Sequence, residues 1–215
     1  TYLGTADGGD RVTHIQEDPV TGDLIVLCKT RGTLAAIGDV HYEQEGLLGL
    51  YRITPDLSTI VKQTKTMKDA RPLSYFPIGN FLVADNFIVR GFHLDSIGRI
   101  YINGYGNTME VDSIGSQLSG NVTSATNKWI VTLLDSSFSC LLYESYFGIE
   151  NANSGTSSLS RGWNYYDDQN NLFLAGKVDV SNFPHTSGAY SNNLNGASRS
   201  LITAKLNYSD MVNPV

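Results

Sequence analysis

One phrase recurs three times along this 215-residue chain, and nothing else in the sequence restricts the fold as much. It consists of an acidic residue, a tight turn and an apolar strand: EDPVTGDLIVLCKT from Glu17, LDSIGRIYINGYG from Leu94 and YDDQNNLFLAGKV from Tyr166. Aligned on the first strand residue, Leu24, Ile100 and Leu172 coincide, with spacings of 76 and 72 residues. A second phrase is an alternating strand, a polar turn and another strand. It reads LGLYRITPDLSTIVKQT from Leu48, KWIVTLLDSSFSCLLYESYFG from Lys128 and RSLITAKLNYSDMVNPV from Arg199. In it Ile53, Leu133 and Leu206 correspond, with spacings of 80 and 73. TYLG at Thr1 matches SYFG at Ser145, 144 residues on, or two periods of 72.

Each piece of the repeat has a physical reason. Asp-x-x-Gly and Asp-x-x-Asn are turn chemistry, because the Asp side chain caps the turn and Gly or Asn tolerates positive φ. The apolar run that follows packs one or both faces into a core. Helical periodicity is nearly absent, and short runs bounded by Gly, Asn, Asp and Ser read as strands. The expected strands are Arg11–Gln16, Leu24–Lys29, Leu48–Thr54, Thr59–Thr64, Asn80–Ala84, Phe87–Leu94, Arg99–Gly104, Trp129–Leu134, Cys140–Phe147, Gly162–Tyr166, Asn171–Val178 and Leu201–Leu206. Long polar stretches, 107–128, 148–161 and 180–200, read as surface excursions from a β scaffold. Each repeat carries about four strands, the content of one propeller blade, and such a sheet needs neighbours to bury both faces.

Composition removes several classes of function. Charged residues make up only 17%, the formal net charge is −6, and no Lys/Arg cluster interrupts the chain. A nucleic-acid groove or a polybasic membrane anchor is not expected from that balance. No apolar run approaches the ~18–20 residues of a helical membrane span. The first residue is Thr1 rather than Met, which fits a processed chain or a part of a longer one. Abundant Gly and Tyr beside scarce Lys and Glu suit a turn-rich β protein. Cys28 and Cys140 are the only cysteines, and either a disulfide or two separate thiols is compatible with them.

The third repeat resembles the SBBP-type β-propeller repeat. Tyr146, Phe147 and Gly148 match that family's first glycine motif; Asp167, Asn170, Asn171, Leu172 and Gly176 match its turn and strand. Phe183, Pro184, Thr186, Gly188, Ala189 and Tyr190 match its Phe-Pro segment, and Ala204, Lys205 and Leu206 its closing strand. The match runs from Trp129 to Leu206. The first two repeats lack the Phe-Pro segment, and Cys28 replaces the glycine found at Gly104 and Gly176. The resemblance implies a β-propeller in a secreted or surface-attached protein, and it carries no catalytic constellation over.

The expected fold is therefore all-β: one domain over residues 1–215, a propeller-like array of about three four-stranded repeats. Its order is circularly permuted, so that N- and C-terminal strands complete one blade. Tyr2 and Leu3 on one side, and Leu201, Ile202, Ala204 and Leu206 on the other, are the candidate assembly residues. Pairing within one chain closes a ring; pairing between chains gives head-to-tail polymerisation. Three blades fall short of the usual four to eight, which favours assembly or a missing part of the chain.

Signs of chemistry are sparse. His14, His41, His93 and His185 are far apart and form no His-x-x-x-His pair, so no zinc site and no other metal site is expected. His93 reads as a hydrogen-bonded histidine at the edge of the core. Asp7 with Asp10, and Asp167 with Asp168, are the densest carboxylates; Ca²⁺ would be their cation, but turn capping accounts for them with fewer assumptions. Trp163, Tyr165 and Tyr166, with Tyr75 and Phe76, offer either a sugar-stacking platform or wedge filling between blades. Asn121 and Asn207 open N-glycosylation sequons, a number expected by chance in so Asn-, Ser- and Thr-rich a chain.

These features lead to the expectation of a non-enzymatic, cofactor-free, extracellular or cell-surface structural protein. It would be a subunit of a filament, sheath or appendage, self-associating through strand or blade sharing. The alternative is a secreted carbohydrate- or ligand-binding propeller module with glycans as partners. A propeller hydrolase would need His93 and carboxylates at a central channel.

Overall fold

A computed structural model of the chain describes residues 3, 10–30, 34–42, 46–68, 87–106, 128–147, 160–178 and 200–209. Among them lie eleven strands: β1 (Arg11–Glu17), β2 (Leu24–Lys29), β3 (Gly46–Ile53), β4 (Ile60–Lys68), β5 (Phe87–Leu94), β6 (Ile100–Gly106), β7 (Lys128–Leu134), β8 (Leu141–Phe147), β9 (Ser160–Tyr166), β10 (Leu172–Val178) and β11 (Ser200–Leu206). Each matches a strand expected from the apolar runs to within a few residues at its ends. The expected strand at 80–84 lies outside the described residues.

The strands form three antiparallel sheets in chain order: β1-β2-β3-β4, β5-β6-β7-β8 and β9-β10-β11. The all-β expectation is met at that level, and no closed barrel or ring of sheets is found among the described residues. The ladders also correct one alignment. Leu24 pairs with Ile53, Ile100 with Leu134, and Leu172 with Leu206. The equivalent residues are thus Ile53, Leu134 and Leu206, not Leu133. Two adjacent leucines occupy the end of β7, and composition alone does not distinguish them; a one-residue slip exchanges the faces of every side chain on the strand.

Alternation along the central strands explains how the sheets stack. Ile25 and Leu27 of β2, with Leu48 and Leu50 of β3, meet Ile100, Ile102, Ile130 and Leu134 of the second sheet in one core. The next residues along, Tyr101, Val131 and Leu133, point the other way and join Tyr143 against Leu172, Leu174 and Leu206 of the third sheet. The second sheet is therefore covered on both faces, which is why β6 and β7 read as near-continuous apolar runs. A third cluster, Val26, Cys28, Leu34, Tyr51 and Ile53, lies on the first sheet's outer face, with Leu3 packed against it. Each aliphatic side chain taken fully out of water here contributes roughly 1.5–3 kcal/mol.

The first strand of each sheet faces the next one, β1 against β5 and β5 against β9. The approach of β5 to β9 depends on Gly91, because a Cβ there would overlap Asn164 Nδ2 and Asn103 Nδ2.

Five short turns share one design. At β1–β2, β5–β6 and β9–β10 the left-handed position is taken by Gly22, Gly98 and Asn170, with φ of 75°, 79° and 61°. At β3–β4 and β7–β8 the same position holds Leu57 and Phe138. Asp95 Oδ1 accepts from the Ile97 and Arg99 amides, Asp167 Oδ1 from Gln169 and Asn171, and Asp18 Oδ1 from Val20. In a meander, alternate connections lie at opposite ends of the sheet. These turns therefore occupy one rim, and the connections 69–86, 107–127, 148–159 and 179–199 leave from the other.

Candidate assembly face

The third sheet differs from the other two in what covers it. Ile25, Tyr101 and Phe173 are equivalent positions on β2, β6 and β10. Ile25 and Tyr101 are fully buried beneath the following sheet, whereas Phe173 is 37% exposed. Phe173 pairs across the ladders with Tyr165 on β9 and Lys205 on β11, so the three share a face. Tyr165 is 64% exposed with its ring centroid 6.3 Å from that of Phe173, and the Lys205 ammonium lies 5.4 Å from the Phe173 centroid on the other side. An open cleft of about 370 Å³ runs across this face, lined by Tyr165, Phe173, Ala175, Thr203 and Lys205, with Asn164, Leu174 and Ala204 of the opposite alternation completing its wall. Leu201, further along β11 in the same alternation, is 76% exposed. Among the described residues β11 pairs only with β10.

The candidate assembly residues separate accordingly. Leu201 lies on the open face, while Leu206 and Ala204 turn inward against the core between the second and third sheets. Ile202 is placed by its backbone, opposite Gly176, and its side chain lies outside the described residues. Leu3 packs on the first sheet's outer face, and Tyr2 lies outside the described residues. Of the sugar-stacking candidates, Tyr165 is on the open face. Tyr166 is turned into the seam between the second and third sheets, and the side chains of Trp163, Tyr75 and Phe76 lie outside the described residues.

The remaining candidates lie at a seam between sheets, at turns and at a strand end. His93 stacks on Tyr166 at 4.6 Å and 11°, with Nε2 3.3 Å from Asn170 Oδ1. Burial pushes the Tyr166 phenol well above its ordinary range, against the opposing effect of the Asn103 amide that donates to its oxygen. This seam is a packed contact between sheets. Asp167 caps its turn; the hydrogen bond from Asn171 Nδ2, opposed by desolvation and aided by the backbone amides, holds its carboxyl below the ordinary value. No group of three metal-ligating side chains occurs among the described residues, which exclude Asp7 and His185. Asn207 is exposed just beyond β11, and Asn121 lies outside the described residues.

Both cysteines are free thiols. Cys28 is buried in the first sheet's outer cluster and Cys140 is exposed in the β7–β8 turn. Burial pushes the Cys28 thiol up to about 11.

At the turn rim lies a feature that the sequence reading missed. Arg52, at the end of β3, donates through Nη1 to Asp18 Oδ2 at 2.6 Å and through Nη2 to the Ser136 carbonyl at 2.6 Å. It fastens the first sheet to the β7–β8 turn of the second. Desolvation raises the Asp18 carboxyl, but the Val20 amide and Arg52 outweigh it and hold it below its usual value. A lone Arg between a strand and a turn carries no signal in one sequence.

Comparison of the chain with protein-family models, with curated proteins and with solved structures returns no match.

Proposed function

We propose that this chain is a non-enzymatic structural building block that self-associates end to end, as a subunit of an extracellular filament, sheath or appendage. In this reading the three sheets are consecutive propeller-type blades, stacked in a row rather than closed. The observation that carries it is the exposure of Phe173, whose counterparts Ile25 and Tyr101 are covered completely by a following sheet. Tyr165, Phe173 and Leu201 together leave aromatic and aliphatic surface on a face whose equivalents are interfaces, and exposed apolar patches of this kind favour association. The SBBP-type resemblance supports a secreted or surface setting. Light scattering coupled to size exclusion, over a range of concentrations, tests it. Species of increasing mass that return to one chain in Phe173→Asp support the reading; a single chain at every concentration overturns it.

The cleft favours a second reading, a carbohydrate-binding face, because the exposed Tyr165 ring shares its open face with the Thr203 and Lys205 side chains. Aromatic faces with hydroxyl and ammonium donors nearby suit sugar stacking and hydrogen bonds to sugar hydroxyls. Glycan-array binding by a single chain, lost in Tyr165→Ala, would favour this reading over assembly.

A further inference from the structure

The ladders of the second sheet specify what a fourth strand beside β11 would be. β7 and β11 are equivalent, because Leu134 pairs with Ile100 as Leu206 pairs with Leu172. Counting back along both strands, Trp129 corresponds to Leu201 and Ile130 to Ile202. In the second sheet Trp129 pairs with Phe147, and Ile130 with Tyr146. The segment Ser145–Tyr146–Phe147–Gly148 has its sequence counterpart in Thr1–Tyr2–Leu3–Gly4. Leu3 is thus the counterpart of Phe147, and its place in a fourth strand is opposite Leu201. That pair would bring together two aliphatic side chains, one of them 76% exposed.

Within one chain Leu3 lies elsewhere, packed on the cluster of Val26, Cys28, Leu34, Tyr51 and Ile53 on the first sheet's outer face. In the second and third sheets the corresponding face, carrying Ile100 and Ile102 or Leu172 and Leu174, is covered by the preceding sheet. Leu3 therefore stands where a sheet preceding the first would lie. The two facts agree on the face: a strand added to a preceding sheet would lie on the side of the first sheet where Leu3 packs.

We propose that the segment around Leu3 pairs antiparallel with β11 of a second copy of this chain, Leu3 opposite Leu201. The third sheet of one copy is thereby completed and stacked on the first sheet of the next. Backbone pairing to an open sheet edge supplies the attraction, and the apolar face sets the register. The proposal rests on the self-association reading and adds to it the strand, the register and the polarity.

The test mixes two variants of the full chain, Leu3→Cys and Leu201→Cys, each with Cys140→Ser and Cys28→Ala so that neither native thiol competes, Cys28 lying in the cluster that Leu3 packs against. Mild oxidation then reports contact between copies only, because neither variant can bridge within itself through the introduced thiols. Lys205→Cys replaces Leu201→Cys as the control; it shares the exposed face but lies roughly 13 Å along the strand, beyond disulfide reach. The expected result is about tenfold more cross-linked dimer for the Leu201 pair than for the control. Equal cross-linking of both, in material that light scattering shows to be assembled, overturns the register and leaves self-association standing. Single chains at all concentrations overturn both. A double variant, Leu3→Cys with Leu201→Cys, that bridges only within one chain also overturns the second-copy assignment. Circular dichroism on each variant establishes that the sheets are intact.

Discussion

The guanidinium carbon of Arg52 lies 5.3 Å from the centre of the Phe138 ring, and the two side chains clasp the first sheet to the second from opposite sides of the seam. Arg52 is only 5% exposed, and its partner Asp18 1%. Removing the arginine leaves a buried carboxylate uncompensated, and breaking such a pair costs about 3–5 kcal/mol. Arg52→Ala is expected to lower stability by that order in urea unfolding. Arg52→Lys keeps the charge but loses the fork that reaches Asp18 and Ser136 together, so it should recover only part of the loss.

Phe138 combines two opposed contributions. Its φ of 65° is a left-handed conformation that a bulky residue adopts at a cost of about 1–2 kcal/mol. Full burial between two sheets outweighs that cost. Phe138→Ala should destabilise by about 3–5 kcal/mol. Phe138→Gly should be no worse than Phe138→Ala, because glycine relieves the backbone strain that alanine retains. Thermal or chemical unfolding of the two variants side by side checks the order.

Acid should act in two stages. Burial lowers the pKa of His14 from its ordinary 6.5, and its ring lies 5.9 Å from Phe92. The unfolded chain then takes up the proton first, so stability begins to fall as pH drops below 6.5. The second stage belongs to carboxylates. Asp18 and Asp135 are held below 3.8 although desolvation opposes it, and Asp56 is lowered to about 2, chiefly by the Thr54 hydroxyl. Their contribution is complete above 3.8 and is lost as pH falls through the lowered values. In denaturant titrations at stepped pH, His14→Gln should abolish the first stage and leave the second.

The two thiols should differ sharply toward alkylating reagents. Cys28 is buried, and burial has raised its pKa to about 11, so little thiolate forms near neutral pH. Cys140 is exposed. Brief treatment of the folded protein with iodoacetamide at mildly alkaline pH should add one group, at Cys140, by mass spectrometry. Two groups should appear only in denaturant.

The strands and their turns were legible because their causes are local. Gly22, Gly98 and Asn170 mark the positive-φ positions in plain sequence, and the apolar runs of β2, β6 and β10 follow each turn at fixed distance. What stayed hidden depends on tertiary order. Ile25, Tyr101 and Phe173 look alike as apolar strand residues, and only the stacking order leaves the last exposed. Leu206 reads as a candidate assembly residue until the second sheet is seen to cover it in the core between the two. The slip between Leu133 and Leu134 has the same origin, since which of two adjacent leucines faces which sheet is decided by pairing. The clasp of Arg52 on Ser136 joins residues 84 apart and has no sequence signature.

The two rims of the molecule are unlike, and that difference governs where the chain can change. At one rim every turn is closed by backbone and side-chain hydrogen bonds, and Gly98 admits the Asp18 carboxylate so closely that a Cβ would stand 2.9 Å from it. An inserted residue there would pry neighbouring sheets apart. At the other rim the strand ends are fixed by their ladders, whereas the 30–45 connection is tied back by Leu34 in the outer cluster and by the His41 amide on the Phe138 carbonyl. Epitope tags or reporter domains should therefore be tolerated better within 107–127, 148–159 or 179–199 than in any of the five short turns or in 30–45.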